Sequence, residues 1–157
     1  MPAPVSRFLA IDLGDKRTGL AGADSITRIA SPLHTIEIPI AQRDRLLDAL
    51  AAAARDHEVT HLVLGLPINM DDTEGPRAKL ARAFALDLHR RTNLPIHLHD
   101  ERLTSAQADW SMARSGMTHA QKKARRDALA AAALLHDFLT IHPTPPPDLP
   151  PASPPEP

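Results

Sequence analysis

Apolar positions come first in short runs and later at helical spacing. Arg7-Phe-Leu-Ala-Ile-Asp-Leu13 is a short apolar run with a carboxylate near its far end, and Gly14-Asp-Lys-Arg17 has turn chemistry. Thr18-Gly-Leu-Ala-Gly-Ala23 reads as a small-residue strand, and residues 29–38 as a third strand, irregular around Pro32. Together they predict a hairpin or meander of three strands. Residues 41–57 then show helical spacing through Leu46, Leu47, Leu50 and Ala54. His61-Leu-Val-Leu-Gly65 is continuously apolar, which suits a strand buried on both faces. A polar loop over residues 67–75 leads to a second helix over 76–92, with Leu80, Phe84 and Leu88 on one face, and to a fifth strand over 94–98. Thr104-Ser-Ala-Gln107 has the capping-box pattern and opens a third helix. Thr118-His-Ala-Gln121 repeats it for a last helix running to about Leu139.

The order is therefore β-β-β-α-β-α-β-α-α, which implies an α/β fold: a mixed β-sheet with helices packed on it. That layout is shared by ribonuclease-H-like folds and by half of an actin-type ATPase domain. A chain of 157 residues suits one domain. Residues 143–157 carry proline at most positions, so they are expected to form a disordered, polyproline-II-biased tail behind a domain of residues 1–142. The absence of cysteine excludes disulfides, thiolate metal sites and a thiol nucleophile. No apolar run approaches the ~20 residues of a membrane span, and the N-terminus lacks a signal peptide's apolar region, so a cytoplasmic protein is expected. A net charge of −1 means that nucleic acid, if bound, must meet a local basic patch. With only Phe8, Phe84, Phe138 and Trp110, a stacking platform for single strands is disfavoured.

Three carboxylates are the candidates for chemistry. Asp12 closes the first strand, and ligand sites in such sheets favour strand ends. Gly14 beside it leaves space for a metal or phosphate. Glu101 follows the fifth strand, and Asp100 is its adjacent alternative, although neighbours on an extended segment face opposite ways. Asp127 shares a helix face with Ala130, Ala131, Leu134 and Phe138, and an acid on an apolar face is costly unless paired or bound to a cation. The surrounding alanines would let this helix approach the sheet closely. Each acid also has a plainer reading, as a turn cap or a partner of Arg102, Lys123 or Arg126. Together the three could hold divalent Mg²⁺ or Mn²⁺ for phosphodiester hydrolysis. Lys16, Arg17, Arg102, Lys122, Lys123, Arg125 and Arg126 flank the acids and could position a nucleic-acid backbone. Among nine histidines only His97 and His99, two apart on a strand, make a weak candidate pair.

The run Phe8-Leu-Ala-Ile-Asp-Leu-Gly-Asp-Lys-Arg-Thr-Gly-Leu-Ala-Gly-Ala-Asp24 resembles the opening of the YqgF family, the pre-16S ribosomal RNA nucleases also called Holliday-junction-resolvase-like proteins. Val63-Leu-Gly-Leu-Pro-Ile-Asn-Met-Asp71, Arg82-Ala-Phe-Ala85, Leu94-Pro-Ile96, Asp100-Glu-Arg-Leu-Thr-Ser105 and Asp127-Ala-Leu-Ala-Ala131 match it in the same order. The resemblance implies a ribonuclease-H-like fold and maturation of the 5′ end of pre-16S rRNA. It places Asp12, Glu101 and Asp127 at catalytic, metal-holding positions and Lys16 and Arg17 on a basic turn. The loop after Asn69 departs from the pattern, as does the proline-rich segment. Resolution of DNA junctions, a non-catalytic RNA-binding or ribosome-assembly module, and an actin-type ATPase are the rival readings. The last usually needs a second domain, for which this chain is too short.

Overall fold

The computed structural model describes residues 5–101, 119–141 and 147–150. The strands are β1 (Arg7–Leu13), β2 (Thr18–Asp24), β3 (Ser31–Ile36), β4 (His61–Leu66) and β5 (Ile96–Asp100), and the helices are α1 (Arg43–Asp56), α2 (Pro76–Thr92) and α3 (His119–Ile141). The helix expected to open at Thr104 lies outside the described residues. The third strand is shorter than expected and the fifth begins two residues later, after Pro95, whose ring supplies no ladder donor.

One five-stranded sheet has the order β3-β2-β1-β4-β5. The first three strands form an antiparallel meander, while β1, β4 and β5 run parallel, joined through α1 and α2. This ends β1, β4 and β5 at the same edge of the molecule. The pleat then sorts the side chains into two layers. Leu9, Ile11, Leu20, Leu62, Leu64 and Ile96 face α1 and α2, where they meet Leu46, Leu50, Phe84 and Leu88. Ala10, Ala21 and Val63 face α3 and meet Ala131, Leu134, Leu135 and Phe138. Ala10 on β1 and Ala21 on β2 are small, which brings that helix close over these two strands.

Two expectations need correction. Leu80 is 43 % exposed and turned from the core. The buried stripe of α2 is Ala78, Ala81, Phe84, Ala85 and Leu88. The proline-rich segment is not uniformly solvated either. Leu149 makes an antiparallel bridge to Ile96 and packs on the α1–α2 core, because an open sheet edge offers hydrogen bonds that proline flanks do not prevent one leucine from taking.

Candidate active site

Asp12 lies on the pleat of Phe8 and Ala10, so its side chain belongs to the α3 side of the sheet, at the shared C-terminal edge of β1, β4 and β5. Its antiparallel partner is Gly19. On the other side, Gly65 of β4 stands one residue beyond the Ile11–Leu64 pair. Asp12 is thus flanked by two glycines, and both are needed. A Cβ at Gly19 would fall into the backbone of Asp127 and lie 2.8 Å from the Ala128 nitrogen. A Cβ at Gly65 would overlap the Glu101 carboxyl and sit 2.7 Å from Leu134 Cδ1. The missing side chain on one flank admits the helix that carries Asp127, and on the other the side chain of Glu101.

Electrostatics place the three acids in one field. Burial, then the charge of Glu101, a hydrogen bond with it, and the charge of Asp127 push the Asp12 carboxyl from 3.8 up to about 8. Burial also raises Glu101, which the bond from Asp12 and the charge of Arg77 oppose. Asp12 therefore keeps its proton and donates it to the Glu101 carboxylate. The third acid, Asp127, is part-exposed and engages Arg17, whose Nε lies 3.2 Å from its Oδ2. Among the described residues Glu101 faces Asp12, and Asp127 is ion-paired with Arg17 from the β1–β2 turn.

The remaining expected residues divide. Lys16 and Arg17 are exposed in the β1–β2 turn, Arg17 against Asp127, and Arg126 is exposed at the start of the buried part of α3. Arg102 and the side chains of Lys122, Lys123 and Arg125 lie outside the described residues, although the last three stand on α3. Gly14 does not open a ligand space as expected: a Cβ there would run into the carbonyl of Arg17, so this glycine serves the tight turn. His97 and His99 are buried under α3, where the His97 ring lies 4.9 Å from Phe138 and 5.8 Å from His61, and His99 meets the edge of Phe138 at 6.1 Å. They pack as aromatic rings of the α3 layer. Sequence reasoning missed Arg77, near the start of α2. It pairs with Asp15 at 3.0 Å and is the cation whose field lowers both Asp12 and Glu101. No local signal marks it, since its partner is far away in sequence. Together with Asp15, Glu101 and the apolar Leu13 and Ile40 it lines a cavity of about 180 Å³.

The donor set consists of carboxylate oxygens, which suits a hard divalent cation. An acid pair sharing a proton marks a place where positive charge is favoured. Among the described residues, no three acid or histidine groups stand close enough to enclose an ion as they are. The Asp127 carboxylate is turned to Arg17 instead.

Three comparisons bear on this geometry. A family model described as RuvX, Holliday junction resolvase, matches residues 6–141. A protein of Anaeromyxobacter sp. (strain K) described as "Putative pre-16S rRNA nuclease" is 44 % identical over 133 residues, 85 % of this chain and 96 % of the relative. A relative of the same description from Myxococcus xanthus (strain DK1622) is 38 % identical over 136 residues, 87 % of this chain and 89 % of its own. In fold, the chain is similar to Thermus thermophilus RuvC in complex with a Holliday junction substrate, with a TM-score of 0.59 at 17 % identity over 90 % of this chain and 99 % of that one. It is also similar to the Fowlpox virus resolvase in complex with junction DNA, with a TM-score of 0.57 at 11 % identity over 86 % of this chain and 97 % of that one.

Proposed function

The chain belongs to the RuvX Holliday junction resolvase family, and on that premise we propose that it is a divalent-metal-dependent endonuclease that matures the 5′ end of pre-16S rRNA. The fold is that of the RuvC-like resolvases, of the ribonuclease-H-like class. The observation that carries the reading is the hydrogen-bonded pair of Asp12 and Glu101 with the charge of Asp127 acting on it, at a sheet edge where two glycines make room for Glu101 and for the helix that carries Asp127. The rRNA substrate is favoured over a DNA junction by the relatives at 38–44 % identity, whose description names it. Among the described residues no helix is long and apolar enough to cross a membrane. We infer a cytoplasmic site of action from the precursor-rRNA substrate that the relatives' description names.

Asp12, Glu101 and Asp127 would hold the cation, Mg²⁺ or Mn²⁺. When bound, it supplies activation of water and charge neutralisation at the leaving oxygen. Asp12 must give up the proton that it shares with Glu101, so both carboxylates become acceptors. Asp127, held by Arg17 here, would have to exchange that ion pair for the cation to join Asp12 and Glu101 as a ligand. Arg77 offsets the negative charge that the acids concentrate. Lys16 and the basic residues at the start of α3, Lys122, Lys123, Arg125 and Arg126, hold the phosphate backbone. Arg102 is added to the proposed contacts on its sequence position beside Glu101 alone.

The deciding experiment is cleavage of pre-16S rRNA fragments and of a four-way DNA junction, with Mg²⁺, with Mn²⁺ and with chelator. Metal-dependent cut ends at the mature 5′ position are expected. Preference for the junction would favour the resolvase reading, and binding without cleavage would favour an assembly module.

A further inference from the structure

The sheet ends at β5, whose outer edge turns outward the backbone groups of Ile96 and Leu98. Open edges are templates for pairing with another chain. Here the edge is filled. The Ile96 N–H donates to the Leu149 carbonyl at 2.9 Å, and the Leu149 N–H donates back to the Ile96 carbonyl at 3.0 Å. One step further, the Leu98 N–H donates to Asp148 Oδ2 at 2.8 Å, so a side chain replaces the next ladder bond. The Leu149 side chain packs on the α1–α2 core, and the Arg82 guanidinium, held first by Glu74, also feels the charge of Asp148. Asp148 and Leu149, which fill the edge, lie beyond residues 6–141, which the family model matches.

We propose that the outer edge of β5 is a strand-acceptor surface, that its occupant is the chain's own Asp148-Leu149 step, and that this occupancy keeps a second copy of the chain from pairing there. The flanking residues explain why the added step does not become a new edge. Pro147 has no N–H to donate to Leu98, so the ladder ends on that side, and Pro150, whose nitrogen faces away from β5, has none to offer a further strand. A single leucine gives register, an aspartate takes the leftover donor, and prolines end the pairing. This is strand addition in cis, with backbone bonds for affinity and one side-chain pocket for selectivity. It does not depend on the nuclease reading.

The test uses the full-length chain and two substitutions, Leu149→Asp and Asp148→Ala. Amide hydrogen exchange of Ile96 and Leu98 is followed by NMR, and sedimentation equilibrium reports association. In the parent protein both amides should be protected and the chain monomeric. Leu149→Asp should speed exchange at Ile96 by about tenfold or more and introduce concentration-dependent dimers. Asp148→Ala should speed exchange at Leu98 and leave Ile96 nearly as it was. Far-UV circular dichroism checks that both variants keep the fold, which is expected because Asp148 is exposed and Leu149 only half-buried. Unchanged exchange at Ile96 in Leu149→Asp would overturn the assignment of the occupant. Fast exchange with no association at any concentration would overturn its role in blocking a second copy.

Discussion

At the scale of single residues, the acids behave as one unit. Asp12→Asn, Glu101→Gln and Asp127→Asn should each keep the fold and reduce metal-dependent cleavage to background in a gel assay on precursor rRNA. Full activity in any one would remove that residue from the site. The Asp12–Glu101 pair also makes a prediction about pH. Asp12 has an ordinary value of 3.8 in the unfolded chain and about 8 in the fold. Between these values the folded state binds the extra proton, so stability must fall as pH rises. Its contribution is complete below about pH 4 and is lost as pH passes through about 8. Thermal unfolding in chelator should show Tm falling across this window, and Asp12→Asn should flatten the trend. A Tm that rises from pH 5 to 8 in the parent and the variant alike would contradict the shared proton.

At the scale of elements, α3 docks where β2 has no side chain. Gly19 lies under the backbone of Asp127, and backbone cannot yield as a flexible side chain can. Gly19→Ala should therefore push the helix away and cost about 1–3 kcal/mol, the usual range for overpacking, with a larger loss of activity than of stability. Denaturant unfolding beside a cleavage assay separates the two. The start of the same helix carries the basic cluster. Replacing Lys122, Lys123, Arg125 and Arg126 by alanine should weaken RNA binding and flatten its salt dependence, by about 0.7 in log–log slope for each lost contact to a single strand. Turnover at saturating substrate should change much less, because backbone contacts act alike on ground state and transition state. An unaltered slope would leave these residues as solvated charge.

At the scale of the molecule, a cation held by the acids would bind the folded chain and not the unfolded one. Mg²⁺ or Mn²⁺ at one hundred times its Kd should stabilise the protein by about 2.7 kcal/mol. For a chain of this size that is a rise in Tm of roughly 5–10 °C. The rise should vanish in Asp12→Asn and grow from pH 6 to 8, since the ion displaces the proton that Asp12 shares. Scanning calorimetry with and without metal reads both. An equal rise in parent and variant would place the ion elsewhere on the surface.

The local pattern of the chain by itself determined the element order. A run such as His61-Leu-Val-Leu-Gly65 suits a strand covered on both faces, and α2 begins at Pro76 and ends by Asn93 for reasons of backbone chemistry that act within a few residues. The identities of Asp12, Glu101 and Asp127 as candidates were legible too, since each is an acid at a strand end or on an apolar helix face. Their meeting was not. It depends on β1, β4 and β5 ending at one edge and on Gly19 and Gly65 falling either side of Asp12, and register between distant strands leaves no local trace. The same holds for Arg77 beside the acids, which no local signal singles out, and for Leu149 on β5, which reads as tail. Only tertiary structure decided these, because contacts between residues far apart in sequence are set by how the layers stack and not by any pattern within one segment.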